Sequence, residues 1–160
     1  VIHRVLEMIS LRAAADRNDE VRERLARQAW RTVTQDETLP APLTPDDLAR
    51  VVTQVSQVLD HPETSVWLDP AQLEWAANEL VLWHDDRPLR VDRLVRRRTP
   101  AGLQWWVLDY KLSDSPDRLP QYRQQMQTYV AAVQALAGSD SVHGAFIAGS
   151  GDFLPFNPAN

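Results

Sequence analysis

Leu89-Arg-Val-Asp-Arg-Leu-Val-Arg-Arg-Arg-Thr-Pro-Ala-Gly-Leu-Gln-Trp-Trp-Val-Leu-Asp-Tyr-Lys111 is the stretch that decides the architecture. Its two arms, Leu89 to Val95 and Leu103 to Lys111, are rich in branched and aromatic residues and flank Thr99-Pro100-Ala101-Gly102. Pro at the second and Gly at the fourth position of that tetrapeptide are a type I turn signature, so the stretch reads as an antiparallel hairpin. Pairing Thr99 with Gly102 and stepping outward along both arms brings Asp92 opposite Asp109. Opposed strand residues have Cβ atoms roughly 5 Å apart. Lys111 shares the face of Asp109, because strand side chains alternate with period two. Two carboxylates so close repel and desolvate one another unless a cation lies between them. Hard oxygen donors of this kind suit Mg²⁺ or Mn²⁺. A one-residue slip would undo the arrangement, so the inference rests on the turn.

Lys111 is the single lysine among the 17 Lys and Arg residues. A chain that uses Arg for generic positive charge and keeps one Lys points to a site that needs an ammonium. Arg is a planar fork that stays protonated, whereas Lys is a compact point charge that its surroundings can tune, and the two do not substitute for one another beside a reacting water or phosphate.

Outward from the hairpin, Trp75 to Trp83 reads as a further strand, joined to it by the turn Asp85-Asp86-Arg87-Pro88. Pro116-Asp117 opens a helix running to about Leu136, with Tyr122, Met126, Tyr129, Val130 and Val133 as an apolar stripe. Gly138 stops it, and Val142 to Ala148 gives the last strand, followed by a tail without a clear period. Trp105-Trp106 puts one ring on each face of its strand, which implies cover on both sides.

The first half is helical in pattern, over about 1 to 15, 17 to 34 and 45 to 59. Leu39-Pro-Ala-Pro-Leu-Thr-Pro45 is a linker. Thr44, Pro45, Asp46 and Asp47 are an N-cap, a first-turn Pro and first-turn acids, and His61-Pro62 ends the helix. The predicted class is α/β, a mixed central sheet flanked by helices, as one domain over 1–160 with a helical insertion over 16–70.

At 160 residues, 44% apolar and 24% charged, the chain is long and apolar enough to bury a core. The absence of cysteine excludes disulfides and an iron–sulfur cluster. No apolar run approaches the roughly 20 residues that span a bilayer, so a cytoplasmic protein without a membrane partner is expected. No GxxxxGK[ST] loop is present, so no ATP site is expected. The net charge of -5 argues against gripping nucleic acid by charge alone. Arg87, Arg90, Arg93, Arg96, Arg97, Arg98, Lys111, Arg118 and Arg123 nevertheless concentrate positive charge in the middle of the chain. Val1-Ile-His-Arg-Val-Leu6 is already helical in pattern at the first residue, which suggests a fragment of a longer chain.

Glu79 on a strand, Arg90-Val-Asp92-Arg-Leu94, Val107-Leu-Asp109-Tyr-Lys111, and a helix bearing Gln121-Tyr122 with Gln125-Met-Gln-Thr-Tyr129 together resemble the PD-(D/E)xK nuclease core. More narrowly they are similar to the C-terminal nuclease domain of RecB/AddA-type recombination helicases, and His3 resembles the metal-ligating His on that family's first helix. The resemblance covers residues 1 to 7 and about 76 to 148. It implies a restriction-endonuclease-like fold and a Mg²⁺-dependent deoxyribonuclease, Mn²⁺ being a substitute, that hydrolyses phosphodiesters of single-stranded or unwound DNA ends in double-strand break repair and recombination. It also implies helicase motor domains in cis and a second, AddB/RecC-like subunit.

By that resemblance Asp92, Asp109, the Tyr110 carbonyl and His3 hold the metal. Lys111 handles the attacking water and the negative charge of the phosphorane. Glu79 contacts the metal through water or binds a second ion. Gln125 and Tyr129 support the site and touch the DNA backbone, with Gln121 and Tyr122 one turn earlier. The family's Gly before the first Asp is replaced within Arg87-Pro-Leu-Arg90, and Leu112 stands where Ser or Thr commonly follows the Lys. Simpler roles stay open: Asp92 pairing with Arg90 or Arg93, Glu79 as a cap or ion-pair partner, Tyr129 as packing, Arg96 to Arg98 as a solvated cluster. His61, His84 and His143 have no ligand-like spacing. Two other functions fit the same residues, a stand-alone restriction- or resolvase-like nuclease and a non-catalytic DNA-end-binding module.

Overall fold

The hairpin forms in the expected register. In the computed structural model, which describes residues 1–36, 44–113 and 115–158, β2 (Arg87–Thr99) and β3 (Gly102–Lys111) pair antiparallel from Thr99 against Gly102 to Arg93 against Leu108. Gly102 has φ +119, a conformation open to glycine and strained for other residues. Before β2, β1 (Trp75–His84) pairs antiparallel with it on either side of an unpaired rung at Glu79 and Asp92, ending at His84 against Arg87. Asp85 and Asp86 both have positive φ, as a two-residue I′ turn requires. The turn is therefore tighter than its sequence suggests, and Arg87 and Pro88 already belong to β2.

After β3 the chain crosses over through α5 (Pro120–Leu136) to β4 (Ser141–Ala148), which lies parallel to β3, and β5 (Phe153–Pro155) closes the sheet antiparallel to β4. The strand order is β1-β2-β3-β4-β5. This five-stranded mixed sheet lies between two helical layers, an α/β architecture as expected. The short β5 lies in the tail and has too few residues to show a period.

One layer comprises α1 (Ile2–Ile9), α2 (Asp19–Asp36), α3 (Pro45–Asp60) and α4 (Pro62–Leu68). Val5, Leu6, Ile9, Leu25, Val55 and Leu68 pack there with Val95, Leu108 and Tyr110 of the sheet. The other layer is α5, whose Met126, Tyr129 and Val133 pack with Leu82, Val91, Leu94, Val107 and Phe146. Trp106 joins the first cluster and Trp105 the second, so both faces of β3 are covered.

Local chemistry sets the boundaries. Thr44 Oγ1 accepts from the Asp47 amide at 3.1 Å and the Asp47 carboxylate accepts from the Thr44 amide at 3.3 Å, a capping box at the start of α3. Pro62 ends α3 and begins α4. The expected helix over 1 to 15 stops at Ile9, where Ser10 caps it with its amide on Leu6 O while its buried hydroxyl donates to Glu7 O at 2.9 Å and accepts from Asn78 at 3.0 Å and Arg93 at 2.9 Å. The helix expected from Pro116 begins at Pro120, since Pro holds Leu119 extended at φ -86, ψ 118. Residues 39–43 of the expected linker lie outside the described residues.

Candidate active site

Alternation along β1 and β2 slips at one rung. Val91 and Leu94 pack in the same cluster under α5 although they are three residues apart. Between them Arg93 points to the other face, where it donates to Trp67 O at 3.1 Å, Ser10 Oγ at 2.9 Å and Asn78 Oδ1 at 2.6 Å. On β1, Asn78 faces the α1 layer and Leu80 packs under α5, with Glu79 between them at φ +52. Glu79 and Asp92 thus occupy the rung at which both strands turn over. A non-glycine residue at positive φ is backbone strain that the surroundings must hold in place, and such residues concentrate at functional sites.

That turnover frees Asp92 from the ladder with β3. Paired residues end at Arg93 and Leu108, one rung short of Asp109, and the Asp92 carboxylate instead accepts from the Tyr110 amide at 3.0 Å. Asp92 and Asp109 are still neighbours. Burial, and then the charge of Asp92, push the Asp109 carboxyl up to about 7, against the opposing charge of Lys111. Asp109 is 2% exposed.

Lys111 supplies the positive charge. Its Nζ lies 2.7 Å from Asp109 Oδ2, a buried ion pair whose positive charge opposes the upward push on the Asp109 carboxyl. The same ammonium donates to Gln125 Oε1 at 3.2 Å and sits 4.6 Å from the centre of the Tyr122 ring. Gln125 Nε2 in turn donates to the Tyr129 hydroxyl at 2.8 Å. Burial, with the Asp109 charge second, holds the Tyr129 phenol above its ordinary value. The α5 residues therefore act behind Lys111, and Tyr129 is both core packing and part of the polar chain. Gln121 is exposed on the first turn of α5, outside these contacts.

On the α1 side His3 Nδ1 lies 3.8 Å from Asp92 Oδ2, and its ring is 5.7 Å from that of Tyr110. Burial lowers the His3 pKa, opposed by the Asp92 charge, which favours the neutral imidazole a metal requires. Glu79 is ion-paired with Arg90. Among the described residues no three His, Asp or Glu side chains converge as a ready-made metal cluster. The fold brings the candidates together in overlapping pairs, His3 with Asp92 and Asp92 with Asp109.

These residues suit a divalent cation. The donors are hard, the buried Asp109 carboxyl is pushed up by the charge of Asp92, and His3 is held toward its neutral form beside them.

Arg93 was the residue hardest to read. It looks like one more arginine of a basic strand, yet it is 1% exposed and ties α1, α4 and β1 to β2. A sequence signal does exist: apolar residues at 89 and 91 are followed by one at 94, an interruption of period two at Asp92-Arg93.

A mixed α/β sheet thus carries a buried Asp109, a half-buried Asp92 and Lys111 on β2 and β3, a set suited to metal-assisted hydrolysis. The chain matches the PD-(D/E)XK nuclease superfamily over residues 1–153 and belongs to it. Its fold is the restriction-endonuclease-like fold of that superfamily, whose nucleases generally use divalent metal ions. No curated protein matches the chain. Among the described residues no helix is long and apolar enough to cross a membrane.

Proposed function

We propose that this chain is a Mg²⁺-dependent deoxyribonuclease domain that cleaves phosphodiesters of single-stranded or unwound DNA ends, within a RecB/AddA-type helicase–nuclease serving break repair and recombination. The observation that carries the reading is the contact of the only lysine with Asp109 beside Asp92, in a member of a nuclease superfamily. The helicase setting, with motor domains in cis and an AddB/RecC-like second subunit, rests on the wider motif that includes His3 and the Gln125-to-Tyr129 helix.

Asp92, Asp109, the Tyr110 carbonyl and His3 are the residues that would hold the ion. When bound it supplies Lewis-acid polarisation of a phosphoryl oxygen and a more acidic water. Asp92 and Asp109 provide the negative charge that orients the site. Lys111 Nζ, held from behind by Gln125 Oε1, presents a fixed positive charge where negative charge develops on the phosphoryl oxygens. Glu79, ion-paired with Arg90, would contact the ion through water or bind a second one. An acidic domain of this kind is suited to DNA delivered by a motor, since it need not capture the polyanion unaided.

The test is cleavage of an end-labelled single strand by wild type and Lys111→Ala, with Mg²⁺, with Mn²⁺ and with EDTA. Wild-type cleavage that needs the ion and disappears in the variant is the expected result. Equal cleavage by both proteins, or none by wild type under any condition, overturns the reading.

A further inference from the structure

The β1–β2 hairpin runs on past the sheet. Pairing of β2 with β3 ends at Arg93, whereas β1 and β2 stay paired out to His84 and Arg87. Pro88, which has no N–H, is tolerated within β2 because this arm has no third strand. Leu80, Leu82, Leu89 and Val91 turn inward and pack under α5. The opposite face is uncovered: Trp83 is 70% and Val81 55% exposed, and Pro88 and Arg90 are exposed beside them. An indole left in water on an ordered strand calls for an explanation.

The arm is rooted in the candidate active site. Arg90, the rung partner of Val81, is ion-paired with Glu79, and Trp83 lies four residues beyond Glu79, about 13 Å along an extended strand. An aromatic face with the Arg90 guanidinium alongside is the chemistry that receives an unstacked base and its phosphate. The apolar area is small, roughly 400 Å² for three side chains of this size, about half of what each partner gives to a stable protein interface. A single base on an indole needs no more.

We propose that the exposed face of this arm is a single-strand platform, on which Trp83 stacks a base of the DNA while the scissile phosphate lies at the acidic pair. The proposal rests on the deoxyribonuclease reading and extends it to how the strand is held. A duplex keeps its bases stacked and gains little from one indole, so the platform selects single strands.

The test compares wild type, Trp83→Ala and Trp83→Phe. Anisotropy of fluorescein-labelled oligodeoxynucleotides of increasing length, in EDTA buffer, gives affinity without cleavage. Wild-type affinity should rise once the strand reaches the arm. Trp83→Ala should lose that rise, about tenfold for a long strand, and Trp83→Phe should keep most of it. In Mg²⁺ the same loss should fall on KM for the long strand and leave kcat. Equal affinity of all three proteins overturns the platform, as does an equal loss on blunt duplex. So does a Trp83→Ala effect confined to self-association in sedimentation, which would make the face a protein interface. Absence of cleavage by wild type counts against the nuclease reading alone, because the binding series judges the arm separately.

Discussion

Lys111 and Asp109, two residues apart on β3 and on one face of it, meet at 2.7 Å with the carboxylate 2% exposed. The contact sets an ammonium against a buried carboxyl, so Lys111 offsets part of the charge that burial and Asp92 disfavour at Asp109. Lys111→Ala should lower kcat by about 10²-fold or more, the loss typical of removing one preorganised charge from a transition state. Lys111→Arg should not restore it, because a planar fork does not fit between Asp109, Gln125 and the Tyr122 ring. Steady-state cleavage at saturating Mg²⁺ checks both, and near-wild-type turnover in the Arg variant would remove the case for an ammonium.

Asp109 makes metal-free stability depend on pH in the direction opposite to most carboxylates. Its folded-state value, about 7, lies above the ordinary 3.8, chiefly through burial and then the Asp92 charge. Between those values the folded protein holds a proton that the unfolded chain has released, so this group's contribution is complete below about 4 and is lost as pH rises through about 7. In EDTA, the melting temperature of wild type should fall from pH 5 to pH 7.5 relative to that of Asp109→Asn. Mg²⁺ should offset the fall in wild type and not in the variant. Parallel melting curves for the two proteins across that range would show that Asp109 is not held protonated.

How much of this was legible follows the physics of each signal. The Thr99-to-Gly102 turn fixed the hairpin register because backbone geometry at Pro100 and Gly102 leaves few options, but that register carries only as far as Arg93 against Leu108, and Asp92 reaches Asp109 from outside the ladder. Trp105 and Trp106 showed that the sheet is covered on both faces. The turnover leaves one trace on β2, the break in period two at Asp92-Arg93, but none on β1, because positive φ at a glutamate is imposed by neighbours and has no propensity signature. Burial of Arg93 depends on Ser10, Asn78 and Trp67 meeting it from three other elements. The Lys111 to Gln125 contact needs the crossover helix to be in place, a long-range fact that helical spacing alone does not contain.

Arg93→Ala should be among the most destabilising single changes outside the apolar core. The guanidinium is buried and bonds three elements, so truncation leaves Asn78 Oδ1, Ser10 and Trp67 O to lose their partners and opens a cavity. Together these cost about 3 kcal/mol or more. Arg93→Lys should recover little, since one ammonium does not reproduce the fork. Urea denaturation measures the loss, and a change below about 1 kcal/mol would mean that the cluster rearranges freely.

Gly144 on β4 couples packing to the site. A Cβ there would lie 2.5 Å from Met126 Sδ and 3.0 Å from Val130 Cγ2, both on α5. Met126 is fully buried, so the sulfur has little room to withdraw, and the helix must shift or the core must strain. Gly144→Ala should therefore cost about 1–3 kcal/mol, the usual range for overpacking. Gln125 precedes Met126, so a displaced α5 also loosens the 3.2 Å hold on Lys111 and lowers kcat more than it alters KM. Shortening the obstructing side chain tests the cause: in Gly144→Ala with Met126→Ala, the two stability losses should add to less than their sum, because the new methyl occupies part of the vacated space. Strict additivity of the two changes, measured by urea denaturation, would place the effect of Gly144→Ala somewhere other than this contact.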